Sequence, residues 1–184
     1  MLAWSASFAM IPDFAHSLHD RFAREGIPLL LAGGWAVCHH GYSRLTLDVD
    51  WVCPRSHEAA AIALMDNLGF SKTTEGMASR FKNRRHPAFP YVDLIWVDDV
   101  SFGKMAEPDG DGTPKPPVPT INFRSLLAMK LFALKDDEER AHKDLLDIRF
   151  LLKYGHTRIP DEEFKTLCER YAGPGAYEQV NHSS

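Results

Sequence analysis

Phe14, Leu18 and Phe22 recur every four residues behind Asp13 and stop at Gly26, the spacing of an amphipathic helix closed by a glycine. The pattern changes at residues 28–32, a continuous apolar run that predicts a buried strand. Gly33-Gly34 breaks that run, and residues 35–41 read as a short helix. Residues 46–53 alternate with period two, which puts Leu47, Val49 and Trp51 on one face of a strand and Thr46, Asp48 and Asp50 on the other. Residues 55–68, with apolar Ala59, Ile62, Ala63 and Met65 ahead of Gly69, predict a helix crossing back over the sheet. Residues 70–74, 77–82 and 91–97 are candidate strands, with Arg84 to Pro87 as the turn between the last two.

Residues 98–119 are rich in Pro, Gly and Asp and poor in apolar side chains, so they read as a loop. The chain then divides into a mixed α/β domain of residues 1–100, a hinge of residues 101–119 and a helical domain of residues 120–184. In the last part, Leu126, Leu127, Met129, Leu131 and Leu134 predict one helix. Leu145, Leu146, Ile148, Leu151 and Leu152 predict a second that ends at Gly155, and Phe164 with Leu167 marks a third after Pro160. The tail from Gly173 reads as frayed, and His182 within it takes no role.

The 184 residues, 45% hydrophobic and 25% charged, suffice for a sizeable core. A net charge of −4 and a pI near 6.1 exclude a surface that is cationic throughout, so any polyanion site must be a local patch. Cys38, Cys53 and Cys168 lack metal-ligand spacing and read as structural free thiols. The first twelve residues have no basic start and meet Asp13 early, so they make a poor signal peptide. No run approaches the roughly 18 apolar residues of a membrane helix, and the sequence reads as cytoplasmic.

Candidate chemistry centres on carboxylates. A glycine pair between strand and helix lets backbone approach a ligand closely and offers N–H groups to a phosphate. Fourteen residues beyond Gly34, Asp48 and Asp50 are presented side by side, within reach of one hard cation such as Mg²⁺. Asp93 lies inside the apolar run 91–97, where a lone carboxylate is costly unless paired or metal-bound, and is the third acid. Asp98 and Asp99 are rivals, but their place at the strand's end assigns them to the loop. His39 and His40 are adjacent, face different ways on a helix and read as packing.

These residues carry a resemblance. The segment from Ala32 to Asp50, with Gly33-Gly34 and Arg44-Leu-Thr46-Leu-Asp48-Val-Asp50, resembles the signature of minimal nucleotidyltransferases, particularly the AbiEii-like family of toxin nucleotidyltransferases. The family's later single aspartate is matched by Asp93, its Lys-x-x-Ala motif by Lys130 to Ala133, and its Asp-x-x-Asp motif by Asp144 to Asp147 behind Lys143. Gly34 stands where many active members carry a serine, which removes one hydroxyl but no backbone donor. The resemblance implies an α+β fold, a small mixed sheet flanked by helices and followed by a C-terminal helical bundle. It also implies a divalent metal, Mg²⁺ or Mn²⁺, and a nucleoside triphosphate such as ATP.

On that basis Asp48, Asp50 and Asp93 would hold metal, with Asp93 near the general-base position. Lys130 would meet the departing pyrophosphate, with Arg44 as a second cation. Gly33, Gly34, Arg44, Thr46, Lys130, Lys143, Asp144 and Asp147 form the expected nucleotide-binding set, Asp144 and Asp147 sharing a helix face. Arg80, Lys82, Arg84 and Arg85 form the densest basic patch, a weak pointer to an RNA acceptor. The expected function is transfer of a nucleoside monophosphate to a hydroxyl of transfer RNA, protein or a small molecule, as the toxin of a toxin–antitoxin pair with a cognate antitoxin partner. Two alternatives stay open: a catalytically weak nucleotide- or partner-binding module, and an antibiotic adenylyltransferase.

Overall fold

The structure, a computed structural model, describes residues 10–86, 88–110, 116–135 and 138–181. Residues 1–9 of the apolar N-terminal stretch, Pro87 of the expected turn and His182 lie outside the described residues. The chain forms two compact units, one of Met1–Trp35, Leu45–Ala106 and Pro116–Thr120, the other of Ala36–Arg44, Glu107–Lys115 and Ile121–Ser184.

The first unit is built on a five-stranded mixed sheet in the order β1 (Leu30–Leu31), β2 (Val49–Pro54), β5 (Val92–Val97), β4 (Ala78–Asn83), β3 (Phe70–Lys72). β2 and β5 are parallel; the other three neighbouring pairs are antiparallel. Alternation sends Val49, Trp51 and Cys53 of β2 and Val92, Leu94 and Trp96 of β5 to one face. There they meet Phe14, Leu18 and Phe22 from α1 (Met10–Arg24) and Ala61 and Met65 from α3 (Glu58–Asn67). Burial pushes the Cys53 thiol up to about 12, so this residue is a small apolar filler rather than a nucleophile. The opposite face carries Asp50 and Asp93.

Four expectations need correction. The second strand begins at Val49, not Thr46, and Leu45 and Leu47 are 63% and 60% exposed. Its ladder starts where the Val49 N–H donates to the Tyr91 carbonyl at 2.9 Å, and among the described residues the pairing with β5 begins at Val49. Asp99–Ala106, expected as loop, is α4. Asp98 starts it by accepting the Ser101 N–H at 2.9 Å and the Ser101 hydroxyl at 2.6 Å. This helix buries no residue, which is why no apolar period announces it. The strand expected over residues 28–32 is paired only at Leu30–Leu31, and the tail expected to fray contains a further helix, given below.

In the second unit, α5 (Phe123–Ala133), α6 (Glu138–Tyr154) and α7 (Asp161–Tyr171) follow the predicted periodicities, and α8 (Ala176–Asn181) is the unexpected fourth. Asn122 caps α5 by accepting the Ser125 N–H at 2.9 Å, and the Asp109 carboxylate accepts from the Phe123 N–H at 2.8 Å. Buried Ala176 and Val180 anchor α8, and Arg149 of α6 donates to the Gln179 and Val180 carbonyls at 2.7 and 2.8 Å. That hold on the helix's end is tertiary, which is why the tail looked unstructured in sequence. Residues 36–44 belong to this unit: Tyr42 stacks on Phe150 with ring centroids 4.3 Å apart, and the buried His40 ring meets the Ile121 carbonyl at 2.9 Å. Burial holds His40 below the ordinary histidine pKa, with its hydrogen bond to the Ile121 carbonyl and the nearby Asp109 carboxylate opposing. It is a packing residue, as read from sequence.

Candidate active site

The parallel pairing of β2 with β5 puts Asp50 directly opposite Asp93. Neighbouring strands lie about 4.8 Å apart, so two acids that are 43 positions apart in the chain share one spot on the sheet. Asp48 lies in the bend that precedes β2. The antiparallel pairing of β4 with β5 adds Arg80 opposite Asp93 on the other side. Its Nε and Nη2 donate to the two Asp93 oxygens at 2.9 and 2.7 Å, a bidentate fork, and Nη2 also reaches Asp48 Oδ2 at 3.4 Å. The guanidinium lies 5.2 Å from the centre of the Tyr91 ring. Its pKa is held above the ordinary arginine value, first by the Asp93 hydrogen bonds, against a burial cost, and then by the charges of Asp93, Asp48 and Asp50.

Arg80 is thus the residue that sequence reasoning misplaced. Of the expected basic patch, Arg80 faces the acids and shares the Tyr91 ring with Lys82, whose ammonium lies 5.5 Å from the ring centre, and Arg84 pairs with Asp66 at 2.5 Å. Arg85 lines a cavity of about 340 Å³ with Arg21, His86 and Phe14. Position 80 alternates with inward Ser79 and Phe81, so its outward face was legible; its partner was not, because pairing register is set across strands.

Gly33 opens α2 (Gly33–His39) at φ +54°, and a Cβ built on it would fall 1.8 Å from Asp50 Oδ2. Only glycine allows this approach; the Ala32 N–H donates to the Asp50 carbonyl at 2.8 Å and fixes it. Gly34 lies buried in the first turn of α2, not in a turn ahead of it. Gly33→Ala is expected to lower unfolding stability by at least about 1–2 kcal/mol from the left-handed conformation alone, before any displacement of Asp50. Urea unfolding checks this, and an unchanged midpoint would contradict the close packing described.

The donors of Asp48, Asp50 and Asp93 are all hard oxygens, which suits Mg²⁺ or Mn²⁺. As they stand, no three His, Cys, Asp or Glu among the described residues are gathered closely enough to hold a metal ion. Arg80 is a cation that Asp93 and Asp48 hold.

Of the remaining expected residues, Arg44, Lys130, Asp144 and Asp147 gather in the second unit. Asp147 accepts from Arg44 Nε at 2.6 Å and Nη2 at 2.8 Å, and Lys130 Nζ lies 2.5 Å from Asp144 and 2.7 Å from Asp147. The helical spacing of Asp144 and Asp147 turns both toward Lys130 of α5, and all three are buried. Burial alone would raise the Asp147 pKa, but the Arg44 hydrogen bonds and the Lys130 charge outweigh it and hold this carboxyl below the ordinary 3.8. Arg44 is likewise held up by Asp147 against its own burial. Two cations and two carboxylates cancel here. Lys143 is exposed on α6, and Thr46 is half-buried in the stretch before β2. Among the described residues no helix is long and apolar enough to cross a membrane.

The family model described as nucleotidyl transferase AbiEii toxin, type IV toxin–antitoxin system, matches residues 18–182. Similar solved structures include ANT(2'')-Ia in complex with adenylyl-2''-tobramycin, at 16% identity and a TM-score of 0.64, covering 86% of this chain and 95% of that one. A lincosamide antibiotic adenylyltransferase bound to lincomycin has 17% identity and a TM-score of 0.51, covering 80% and 98%. An antigenic nucleotidyltransferase-like protein from Paracoccidioides brasiliensis has 17% identity and a TM-score of 0.55, covering 96% and 99%. At these identities the likeness is one of fold. Comparison with curated proteins finds no match.

Proposed function

The chain belongs to the AbiEii nucleotidyl transferase toxin family and is a nucleotidyltransferase, and from that premise we propose that it moves a nucleoside monophosphate from a nucleoside triphosphate to an acceptor hydroxyl, as the toxin of a type IV toxin–antitoxin pair. The observation that supports this most is Asp50 opposite Asp93 on parallel strands, with Asp48 reached by the same Arg80 that holds Asp93. These three carboxylates are the ligands for a divalent cation, Mg²⁺ or Mn²⁺. When bound, that cation neutralises charge on the α-phosphate and favours the deprotonated hydroxyl.

The acceptor oxygen forms a bond to the α-phosphorus, the bond from that phosphorus to the bridging oxygen breaks, and pyrophosphate leaves with the electron pair. Asp93 takes the hydroxyl proton. Gly33 and Gly34 offer backbone rather than side chains to the phosphates, and Thr46 offers a hydroxyl close by in sequence. Lys130 and Arg44 are the cations for the departing pyrophosphate, and Lys143, next to Asp144 in the chain, belongs to the same nucleotide-binding set. Asp144 and Asp147, which hold Lys130 and Arg44, are positioning residues. The acceptor arms are RNA, protein and a small antibiotic, the last motivated by the shared fold of two antibiotic adenylyltransferases.

The test offers each α-labelled triphosphate with Mg²⁺ or Mn²⁺ to total RNA, to protein extract and to an aminoglycoside. Label should move to one of the three with release of pyrophosphate. Label that persists in Asp48→Ala plus Asp50→Ala would remove the site. Tight triphosphate binding without pyrophosphate release in any arm would favour the binding-module reading.

A further inference from the structure

We propose that Arg80 and the divalent cation compete for the same carboxylates, so that Arg80 is a positioning residue that sets how tightly the nucleotidyltransferase holds its metal. This rests on the reading that Asp48, Asp50 and Asp93 are the metal ligands. Arg80 is not among the motif residues of the family signature as they appear in this chain; it reaches the site only through the antiparallel register of β4 against β5.

Both Asp93 oxygens accept from one guanidinium, at 2.9 and 2.7 Å, and the same Nη2 turns toward Asp48 at 3.4 Å. A carboxylate has about four lone-pair sites, so partial sharing is sterically allowed, but two cations drawn to the same oxygens repel each other. The guanidinium plane is also held near the Tyr91 ring, 5.2 Å from its centre. The fork therefore orients Asp93 toward Asp48 while lowering the negative potential that attracts a divalent ion. Asp50 packs its carboxylate against Gly33, and its charge adds to those that hold Arg80 protonated. Metal binding thus requires Asp93 and Asp48 to exchange a guanidinium for the ion.

Calorimetric titration of the full chain with Mn²⁺ alone separates the outcomes, using wild type, Arg80→Met, Arg80→Lys and Asp50→Asn. Arg80→Met, which keeps the stem length but not the charge, is expected to bind Mn²⁺ roughly tenfold more tightly than wild type, from the charge repulsion removed. Arg80→Lys restores a positive charge and is expected to return affinity to within a few-fold of wild type. A merely structural arginine would move affinity the other way, because a loosened site binds metal worse. Equal or weaker Mn²⁺ binding by Arg80→Met, with binding by wild type intact and lost in Asp50→Asn, overturns the competition and leaves the metal site standing. Absence of Mn²⁺ binding in wild type and Arg80→Met alike overturns the metal reading, and the competition with it. Circular dichroism of each variant confirms that the fold is retained.

Discussion

Asp93→Asn is expected to reduce the rate of nucleotidyl transfer by roughly 10²–10⁴-fold, the range typical for a lost general base, and loss of a metal ligand would add to this. The amide keeps the shape of the side chain and still accepts a hydrogen bond, so the β5 backbone and its register with β2 are unaffected. Its stability cost is small, under about 1 kcal/mol, because the partner Arg80 is 41% exposed and the pair is screened by solvent. Single-turnover kinetics beside a thermal unfolding curve distinguish a chemical defect from a folding one. A rate within tenfold of wild type at an unchanged midpoint would show that Asp93 serves Arg80 only.

Asp147→Ala is expected to act on the other unit and through stability. It removes a carboxylate that pairs with both Arg44 and Lys130, two largely buried cations. Breaking such a buried pair costs about 3–5 kcal/mol. Urea unfolding followed by the helical dichroism signal measures it, and a loss below about 1 kcal/mol would mean the cluster is better solvated than its burial implies. The same residue sets an acid limit in the wild type. Unfolded Asp147 titrates near its ordinary 3.8, whereas in the folded chain the Arg44 and Lys130 partners keep it ionised to lower pH. Its contribution is therefore complete above 3.8 and declines as pH falls below that value toward the folded pKa, where the unfolded chain binds a proton that the native one refuses. Asp147→Ala should flatten that acid limb of stability.

The helices over Leu126 to Leu134, Leu145 to Leu152 and around Phe164 were legible because each buries one stripe, and the stripe repeats at helical spacing. α4 and α8 were not. The first buries no residue, and the second has only the pair Ala176 and Val180, one turn apart, so neither repeats often enough to stand out. Leu47 and Val49 look alike in the alternating run, yet one is exposed and the other buried, since the strand starts only where Tyr91 offers its carbonyl.

The chain's own order of residues determined which groups have the chemistry: a glycine pair, two acids at i and i+2, a third acid within an apolar run, and a helical Lys and Asp set. Local spacing fixes these because side-chain direction in a strand or helix follows from backbone period alone. Tertiary structure alone decided who faces whom. Asp50 meets Asp93 and Arg80 meets Asp93 through inter-strand register, and Arg44 meets Asp147 across 103 positions. Those meetings depend on which apolar faces are buried together, a property of the folded chain as a whole that no short stretch of it contains.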